Sequence, residues 1–421
     1  MSKWHRESPR GLSVRYSIYI NRTRMITLRP HQERIINRLQ NYNKGQVIVP
    51  TGGGKTLTMI MDAQSSMDRC NNGVTTVVVA PRILLAEQLC SEFMEVIDDP
   101  YLHVMHVHSG ETHHVSTTKA DKIHLFANCA RTMGENCIIF TTYNSLHRIM
   151  EADIEVNNIY FDEAHNSVKK NFFPATEYFA DIKNADRCYF YTATPKHSLA
   201  ATKPGMNWSV YGQVLANIPA PELVEGGYIL PPKVVVKQLP LIKGRKVMYA
   251  DDCDNLLETI DDNNIDKTLV CARTTKQIIN LLTYSDFCAE LYQRGYSWMT
   301  ITSKTGAIID GQKVNREEFF NTLNTWGKDP EKKFVVLHHS ILSEGINVSG
   351  LEAVIFMRNM DYIGISQSIG RVIRLGSTEK TFGLVCIPTY DRVGISTAKK
   401  VQAVVDVVFN QGQPAISEIR R

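Results

Sequence analysis

The chain has 421 residues, of which 43% are hydrophobic and 21% charged, and its formal net charge is +4. This is the composition of an ordinary globular protein with length enough for two domains. No apolar run approaches the ~20 residues that span a bilayer, and the polar start MSKWHRESPRG has no signal-peptide core, so we expect a soluble, cytoplasmic protein without membrane contact.

The cysteine and charge patterns further restrict the kind of protein that this chain can be. The nine cysteines include no C-x-x-C pair, so neither a zinc ribbon nor a disulfide framework is indicated and reduced thiols are expected. Residues 1–24 carry six basic side chains against a single acid, Glu7. We interpret this segment as a basic, solvated N-terminal extension, because the overall charge is too mild to establish a polyanionic partner.

Apolar, strand-like runs alternate with helical patterns along the rest of the chain, an order that indicates parallel sheets covered by helices. The runs are TTVVVAP (75–81), CIIFTTY (137–143), NNIYFDEAH (157–165), RCYFYTATP (187–195), KTLVCAR (267–273), FVVLHHS (334–340), AVIFMRN (353–359) and FGLVCIP (382–388). The stretch 217–236 is rich in proline and glycine. We therefore predict two α/β domains, residues 25–216 and 237–421, on either side of this linker region.

The first chemical motif is VIVPTGGGKT (47–56), in which a predicted buried strand breaks into glycines before a helix. Close approach of backbone N–H groups to a phosphate chain requires residues without a Cβ, so Gly52, Gly53 and Gly54 are predicted to form a cradle at a helix N-terminus. Lys55 then reaches the β- and γ-phosphates, and the Thr56 hydroxyl ligates Mg²⁺. The strict Walker A pattern has glycine where this chain has Val49, and a glycine-rich turn with a solvated lysine is the alternative interpretation.

The second motif is YFDEAHN (160–166). Asp162 and Glu163 follow a predicted strand and therefore lie at the C-terminal edge of a parallel sheet, where such folds bind ligands. Asp162 is predicted to hold Mg²⁺ through water, and Glu163 to orient or deprotonate the attacking water. A loop or helix N-terminus without catalytic chemistry is the alternative.

In chain order, these and further segments resemble the motifs of superfamily 2 helicases of the DEAD/DEAH type, and in size the chain resembles phage DNA helicases of the UvsW type. The matching segments are LRPHQ (the adenine-recognition element), VPTGGGKT (motif I), APRILLAEQ (Ia), TTYNSL (Ib), DEAH (II), TATP (III), CAR (IV), LSEGINV (V) and QSIGRVIR (VI). The resemblance covers about residues 25–390. It implies an α/β fold of two tandem RecA-like parallel-sheet domains with ATP in the cleft between them.

The resemblance also implies roles for individual residues. Gln32 would read the adenine edge with Arg29 beside it, while Thr51 and Gly345 would join the nucleotide site. Nucleic acid would be contacted through its backbone, without sequence information, by Arg82, Thr141, Thr142 and Arg273. The residues expected to couple this contact to the nucleotide site are His165, Thr192 and Thr194.

Motif VI supplies the positive charge that a two-domain ATP site needs. Gln367 precedes Arg371 and Arg374, which lie one helical turn apart and therefore face the same way. From the second domain these arginines would reach the γ-phosphate, a contact worth roughly 10³–10⁵ in rate in related phosphoryl-transfer systems. Two solvated helix arginines are the alternative.

Some features depart from the family pattern or suggest other chemistry. In motif V, Gly345 is followed by Ile346 and Asn347 where the family usually has Gly-x-Asp, and His339 replaces the usual upstream threonine. The histidines of HVMHVHSGETHH (103–114) suggest a metal site, but they lack cysteines or carboxylates at ligand spacing, and an ordinary strand and loop is predicted. DDCDN (251–255) is interpreted as a solvated turn or helix start rather than a nuclease site.

These features predict an ATP- and Mg²⁺-dependent motor that unwinds or remodels nucleic acid, with DNA favoured over RNA. One alternative is the motor subunit of a restriction or nuclease assembly, which would need a partner protein. Another is an RNA helicase or nucleotide-dependent RNA clamp. Recombination, replication or restriction proteins are the expected partners, and a phage or virus is a candidate source.

Overall fold

The structure is a computed structural model that describes residues 18–20, 25–110, 112–239, 248–302, 304–339, 350–357, 362–374, 382–390, 395–405 and 416–420. Gly345 and Asn347 of motif V, and most of the N-terminal extension, lie outside these ranges. Within them, two large sheets carry helices on their faces, and a short antiparallel pair, β1 (Ile18–Ile20) and β2 (Met25–Thr27), precedes the first sheet.

Eight strands of the described chain form the first sheet, and every neighbouring pair is parallel. In chain order they are β3 (Lys44–Ile48), β4 (Thr75–Ala80), β5 (His103–Val107), β6 (Val115–Ser116), β7 (Cys137–Thr142), β8 (Asn158–Phe161), β9 (Arg187–Thr192) and β10 (Val214–Asn217). Their spatial order is β10-β3-β9-β8-β4-β7-β5-β6. Because the strands are parallel, the residues that follow β3, β4, β7, β8 and β9 meet at one edge of the sheet.

The second sheet has nine strands among the described residues, in the order β15-β14-β13-β16-β12-β17-β18-β11-β19. They are β11 (Pro232–Leu239), β12 (Lys267–Cys271), β13 (Tyr296–Thr302), β14 (Gly306–Ile309), β15 (Gln312–Val314), β16 (Lys333–His338), β17 (Ala353–Phe356), β18 (Gly383–Tyr390) and β19 (Ile416–Arg420). The sheet is parallel except where β13, β14 and β15 pair as antiparallel neighbours.

Helices cover both sheets and connect successive parallel strands. Those around the first sheet are α1 (Pro30–Leu39), α2 (Lys55–Arg69), α3 (Ile83–Val96), α4 (Ala120–Met133), α5 (Leu146–Ala152), α6 (Phe173–Phe179) and α7 (Ala220–Glu225). Those around the second are α8 (Met248–Asp262), α9 (Thr275–Tyr284), α10 (Phe287–Gln293), α11 (Arg316–Lys328), α12 (Tyr362–Val372) and α13 (Ile395–Val404). Among the described helices, none combines the length and apolarity that crossing a membrane requires.

The predicted fold class is confirmed. The burial of the strands explains why the sequence could predict it. Strands β4 and β7 are buried at every position, as expected for a parallel sheet covered on both faces, where strands read as continuous apolar runs rather than alternating ones. Each of the eight apolar runs overlaps a strand of the structure. The stretch 217–236, predicted as a linker region, contains α7 and the first residues of β11.

Candidate nucleotide site between the two sheets

The phosphate-loop candidate connects β3 to α2. Gly52 and Gly54 have φ angles of +86° and +80°, in the left-handed region that glycine adopts without a steric penalty. A Cβ on Gly53 would lie 2.4 Å from Val49 Cγ1, and one on Gly54 would lie 2.3 Å from Gln32 Nε2. The loop backbone therefore requires glycine both for its conformation and for its close packing.

The first turn of α1 supports this loop from behind. Three of its side chains contact successive glycine carbonyls of the loop: Arg29 Nη1 to Gly52 O (3.4 Å), His31 Nε2 to Gly53 O (2.8 Å) and Gln32 Nε2 to Gly54 O (3.2 Å). In a trans peptide unit the C=O and the following N–H point in opposite directions. Because the carbonyls of Gly53 and Gly54 face α1, the N–H groups of Gly54 and Lys55 face away from it, where an anion could accept them.

Lys55 and Thr56 open helix α2 beside this loop. Lys55 Nζ donates to the Val49 carbonyl at 3.3 Å, and both side chains line the cavity described below. An ammonium group held by a single long hydrogen bond to a backbone carbonyl is easily drawn to a phosphate, which carries full negative charge. The predicted phosphate and metal contacts of these two residues are therefore compatible with their positions.

The acidic pair follows β8 and points into the same cavity. Asp162 and Glu163 are both buried, and burial together with the Glu163 charge raises the pKa of Asp162, with Lys55 opposing the shift. Within the described residues Glu163 Oε2 has no hydrogen-bond partner. The His165 ring nitrogen Nδ1 is 3.5 Å from this oxygen, a long contact that leaves the carboxylate able to accept a hydrogen bond from water or to contact a cation.

Motif VI reaches the cavity from the second sheet: Gln367 and Arg371 lie on helix α12, and Arg374 lies two residues after its end. Gln367, Arg371 and Arg374 all line it, and Arg371 Nη1 donates to the Gln367 carbonyl at 2.9 Å. Gln367 Nε2 lacks a hydrogen-bond partner in the described part of the chain. Burial lowers the pKa of Arg374, while the carboxylates of Glu92 and Glu163 oppose that shift.

One cavity of about 410 Å³ brings these groups together, a volume typical of small-molecule sites. The predicted residues that line it are Arg29, Thr51, Gly52, Gly54, Lys55, Thr56, Asp162, Glu163, Gln367, Arg371 and Arg374. The lining residues that sequence reasoning missed are Leu57, Leu85, Gln88, Leu89, Glu92 and Tyr228. Four of them, at positions 85, 88, 89 and 92, have the spacing of a single helix face, so the pattern within α3 could have indicated them.

The segment after α7 passes directly through this region. Arg29 Cζ lies 4.6 Å from the centre of the Tyr228 ring, and Ile229 forms an antiparallel bridge with Arg374. The Leu230 N–H donates to the Ile373 carbonyl at 2.6 Å. Part of the predicted linker region thus contributes to the wall of the cavity and joins its two sides.

The predicted coupling residues lie in contact behind the acidic pair. His165 Nδ1 lies 3.1 Å from Thr192 Oγ1 and 3.5 Å from Glu163 Oε2. The Thr194 N–H donates to Thr192 Oγ1 at 3.1 Å. The side chains of His165 and Thr192 therefore connect motif II to motif III.

The predicted nucleic-acid contacts differ in accessibility. Arg273 is exposed after β12, and Arg82 is half-buried at the start of α3. Thr141 is fully buried and its hydroxyl donates to the Val107 carbonyl at 2.9 Å, while the buried Thr142 hydroxyl faces Ser145 Oγ at 3.4 Å. In this conformation Thr141 therefore does not present its hydroxyl to a ligand on the surface.

The histidine-rich stretch forms β5 and the loop that follows it. His106 Nδ1 lies 3.0 Å from His108 Nε2, and the Gly110 N–H donates to His108 Nδ1 at 3.2 Å. In the described ranges no group of three or more His, Cys, Asp or Glu side chains is arranged to hold a metal.

The other two features that the sequence singled out are also described. The DDCDN stretch lies within helix α8, and His339 Nδ1 is 3.3 Å from the Ala272 carbonyl oxygen.

Part of the chain matches a known protein family, and most of it is similar to solved structures. Residues 25–197 match the family model described as "Type III restriction enzyme, res subunit". Among solved structures, the chain is similar to the ATP-dependent Type ISP restriction-modification enzyme LlaBIII bound to DNA, with a TM-score of 0.75 and 17% identity over 94% of this chain and 32% of that one. No curated protein matches the chain.

Two further structures share the fold. Mss116p bound to ssRNA and AMP-PNP has a TM-score of 0.62 and 15% identity over 94% of this chain and 74% of its own. A fragment of a putative HsdR subunit of a type I restriction enzyme from Vibrio vulnificus has a TM-score of 0.58 and 15% identity, with 92% and 68% covered. The chain spans about a third of the length of LlaBIII. These similarities show the fold that the structures share with this chain, two tandem RecA-like domains.

Proposed function

We propose that this protein hydrolyses ATP in the cleft between its two sheets and uses the resulting domain motion to translocate on or remodel DNA. The observation that carries the proposal is the single cavity lined by the glycine loop and acidic pair of the first sheet and by the motif VI arginines of the second. A site divided between two domains makes hydrolysis sensitive to how they pack, which a motor requires.

Each side chain has a chemical task in this proposal. The N–H groups of the glycine loop and Lys55 bind the phosphate chain. Glu163, which lines the cavity, orients the attacking water and accepts its proton. Arg371 and Arg374 stabilise the charge that develops on the transferred phosphoryl group.

The cavity also fits a divalent cation. Thr56 and Asp162 both line it and would hold Mg²⁺, a cation that prefers oxygen ligands. Bound there, the metal would supply positive charge to the β- and γ-phosphate oxygens. Asp162 must be ionised for this role, and the raised pKa of its carboxyl means that cation binding should release protons near neutral pH.

DNA is the favoured polymer because LlaBIII, the similar Type ISP enzyme, is bound to DNA. A second candidate function, the motor subunit of a restriction assembly, is supported by the match of residues 25–197 to a restriction-enzyme subunit. Branched-DNA remodelling of the UvsW kind is a third form of the same motor activity. The fold is shared with the ssRNA-bound Mss116p, so the experiment must distinguish DNA from RNA as the stimulating polymer.

The test is steady-state ATPase activity with no polymer, single-stranded DNA, branched DNA or RNA, followed by strand-displacement and triplex-displacement assays on the polymer that stimulates. We expect DNA to stimulate turnover and Lys55→Ala to abolish it while leaving DNA binding largely intact. Stimulation by RNA alone would replace the DNA assignment. Stimulated hydrolysis without displacement of any strand would favour a nucleotide-dependent clamp.

A further inference from the structure

Tyr143 lies between the end of β7 and the acidic pair. It is the residue directly after Thr142, and its side chain is only 2% exposed. Its hydroxyl donates to the backbone carbonyl of Asp162 at 2.8 Å, and its own N–H donates to the Ala80 carbonyl at 3.1 Å. Its ring stacks on Phe172 with centroids 5.6 Å apart. Through its backbone and its side chain together, this one residue therefore joins the ends of strands β4, β7 and β8.

The carbonyl that Tyr143 holds belongs to the peptide unit that precedes Glu163. That peptide plane and the Glu163 side chain are related by the φ angle of Glu163, which is +46°. A positive φ is uncommon for a residue other than glycine, and such residues persist only where the surroundings hold them. Fixing the carbonyl of residue 162 therefore helps to fix the direction in which the Glu163 carboxylate points.

Other contacts hold the far side of the same turn. The Asp162 N–H donates to the Val79 carbonyl at 2.8 Å, and Asn166 Nδ2 donates to the Glu163 carbonyl at 3.1 Å. These bonds are local or follow the sheet. The bond from Tyr143 is different, because it reaches the Asp162 carbonyl from the residue that follows β7. Tyr143 belongs to the TTYNSL sequence of motif Ib.

We propose that Tyr143 is a positioning residue, which keeps Glu163 aligned for hydrolysis and makes that alignment sensitive to displacement of the end of β7. The inference rests on the proposed function, since it concerns the same ATP site. A polymer that shifts β7 would move the Tyr143 hydroxyl and, through the Asp162 carbonyl, the carboxylate. Thr141 and Thr142 would then act by moving the strand end, which fits their buried hydroxyls.

The test variant is Tyr143→Phe, which removes the hydroxyl and keeps the stacked ring. Tyr189→Phe is the matched control, because the Tyr189 hydroxyl is also buried and lies 2.8 Å from the Leu39 carbonyl and 2.7 Å from that of Tyr42. These acceptors lie near the start of β3, at the opposite edge of the same sheet. Both variants leave a buried carbonyl short of a donor. Tyr189→Phe also removes the acceptor of a hydrogen bond from Arg187 Nε at 2.9 Å, so a general loss of stability should affect the control at least as strongly as the test variant.

We expect Tyr143→Phe to lower the polymer-stimulated kcat about 5- to 30-fold, the factor that corresponds to about 1–2 kcal/mol. The affinity for a non-hydrolysable ATP analogue and the KM for ATP should stay within twofold of wild type, and Tyr189→Phe should keep the wild-type kcat. In a Glu163→Gln background, Tyr143→Phe should cause no further loss, because residues that act as a unit are not additive.

Two results would overturn the inference. One is a Tyr143→Phe kcat equal to that of Tyr189→Phe, and the other is a full additional loss on top of Glu163→Gln. A wild-type protein without polymer-stimulated turnover would overturn the proposed function, and this inference with it. An active wild type combined with either of the first two results would overturn the role of Tyr143 alone.

Discussion

His31 contacts the glycine loop at the carbonyl of Gly53, at 2.8 Å and in a buried setting. His31→Ala removes this contact and leaves the loop free to rotate that peptide unit, which would misdirect the N–H of Gly54. A buried hydrogen bond contributes about 0.5–1.5 kcal/mol, so we expect ATP-analogue affinity to fall up to about tenfold in an equilibrium binding titration.

The control for this change is Arg34→Ala on the same helix. Arg34 pairs with Glu222, and both side chains are largely solvent-exposed, a kind of ion pair that contributes little. Its removal should leave nucleotide affinity unchanged. Equal affinities for the two variants would show that His31 does not support the loop.

Gln32 illustrates how far individual residues could be predicted. The LRPHQ motif predicted that it reads adenine, and in the structure its amide donates to the Gly54 carbonyl and accepts from the Arg29 N–H at 2.9 Å. Its adenine role stays a prediction. His31 was missed because a lone histidine carries no spacing signal, and whether it bonds to the loop depends on how α1 packs against α2.

Helix α12 approaches the glycine loop so closely that its own glycine is required. A Cβ on Gly370 would lie 2.5 Å from Thr51 Cβ, a separation that real Cβ atoms do not adopt. We expect Gly370→Ala to push α12 away from the loop and to lower polymer-stimulated turnover at least tenfold, while ATP still binds to the first domain. The measurement pairs steady-state ATPase with analogue binding; a wild-type stimulated rate would contradict the observed packing.

Strand β5 should make the first domain sensitive to acid. Burial, with the neighbouring His108 and His114, lowers the pKa of His106 to about 4, against about 6.5 in an unfolded chain. As pH falls from 6.5 towards 4, the unfolded chain takes up this proton and the folded chain does not. Stability is therefore complete above pH 6.5 and declines below it, by up to about 3 kcal/mol from this group.

Thermal unfolding between pH 7 and pH 5 tests this effect. His106→Phe keeps a ring against Phe140, on which His106 is stacked at 5.5 Å, and it removes the titrating group. The Tm of the variant should fall less on acidification than that of wild type. Parallel pH profiles would mean that His106 does not control the acid response.

At the scale of elements, the strands of both sheets were predictable where they are buried on both faces, because continuous apolar runs such as TTVVVAP leave little choice of structure. Short edge strands such as β6 (Val115–Ser116), exposed at both positions, carry no such signal. Residues 228–230 lie within the stretch 217–236, which was predicted as a linker region because it is rich in proline and glycine. Its contact with Arg374 depends on the packing of two domains, which local composition does not encode.

The whole molecule brings residues from both sheets to one cavity. The glycine loop and acidic pair follow strands of the first sheet, and the arginines extend from the second. If a polymer bridges both domains, it acts as a ligand that favours the closed form, and the stimulation it produces is limited by its differential affinity for that form. Basal hydrolysis should then be low, and affinity for the polymer should fall steeply with added salt, because the contacts are mainly to phosphates.

The measurement that tests this account most directly is steady-state ATPase at fixed salt, with and without the stimulating polymer, for wild type and Arg374→Ala. We predict that the polymer raises wild-type turnover strongly, and that Arg374→Ala removes most of the stimulated rate while polymer affinity changes little. If no polymer stimulates wild type, or if Arg374→Ala is stimulated as strongly as wild type, the two-domain motor account is contradicted.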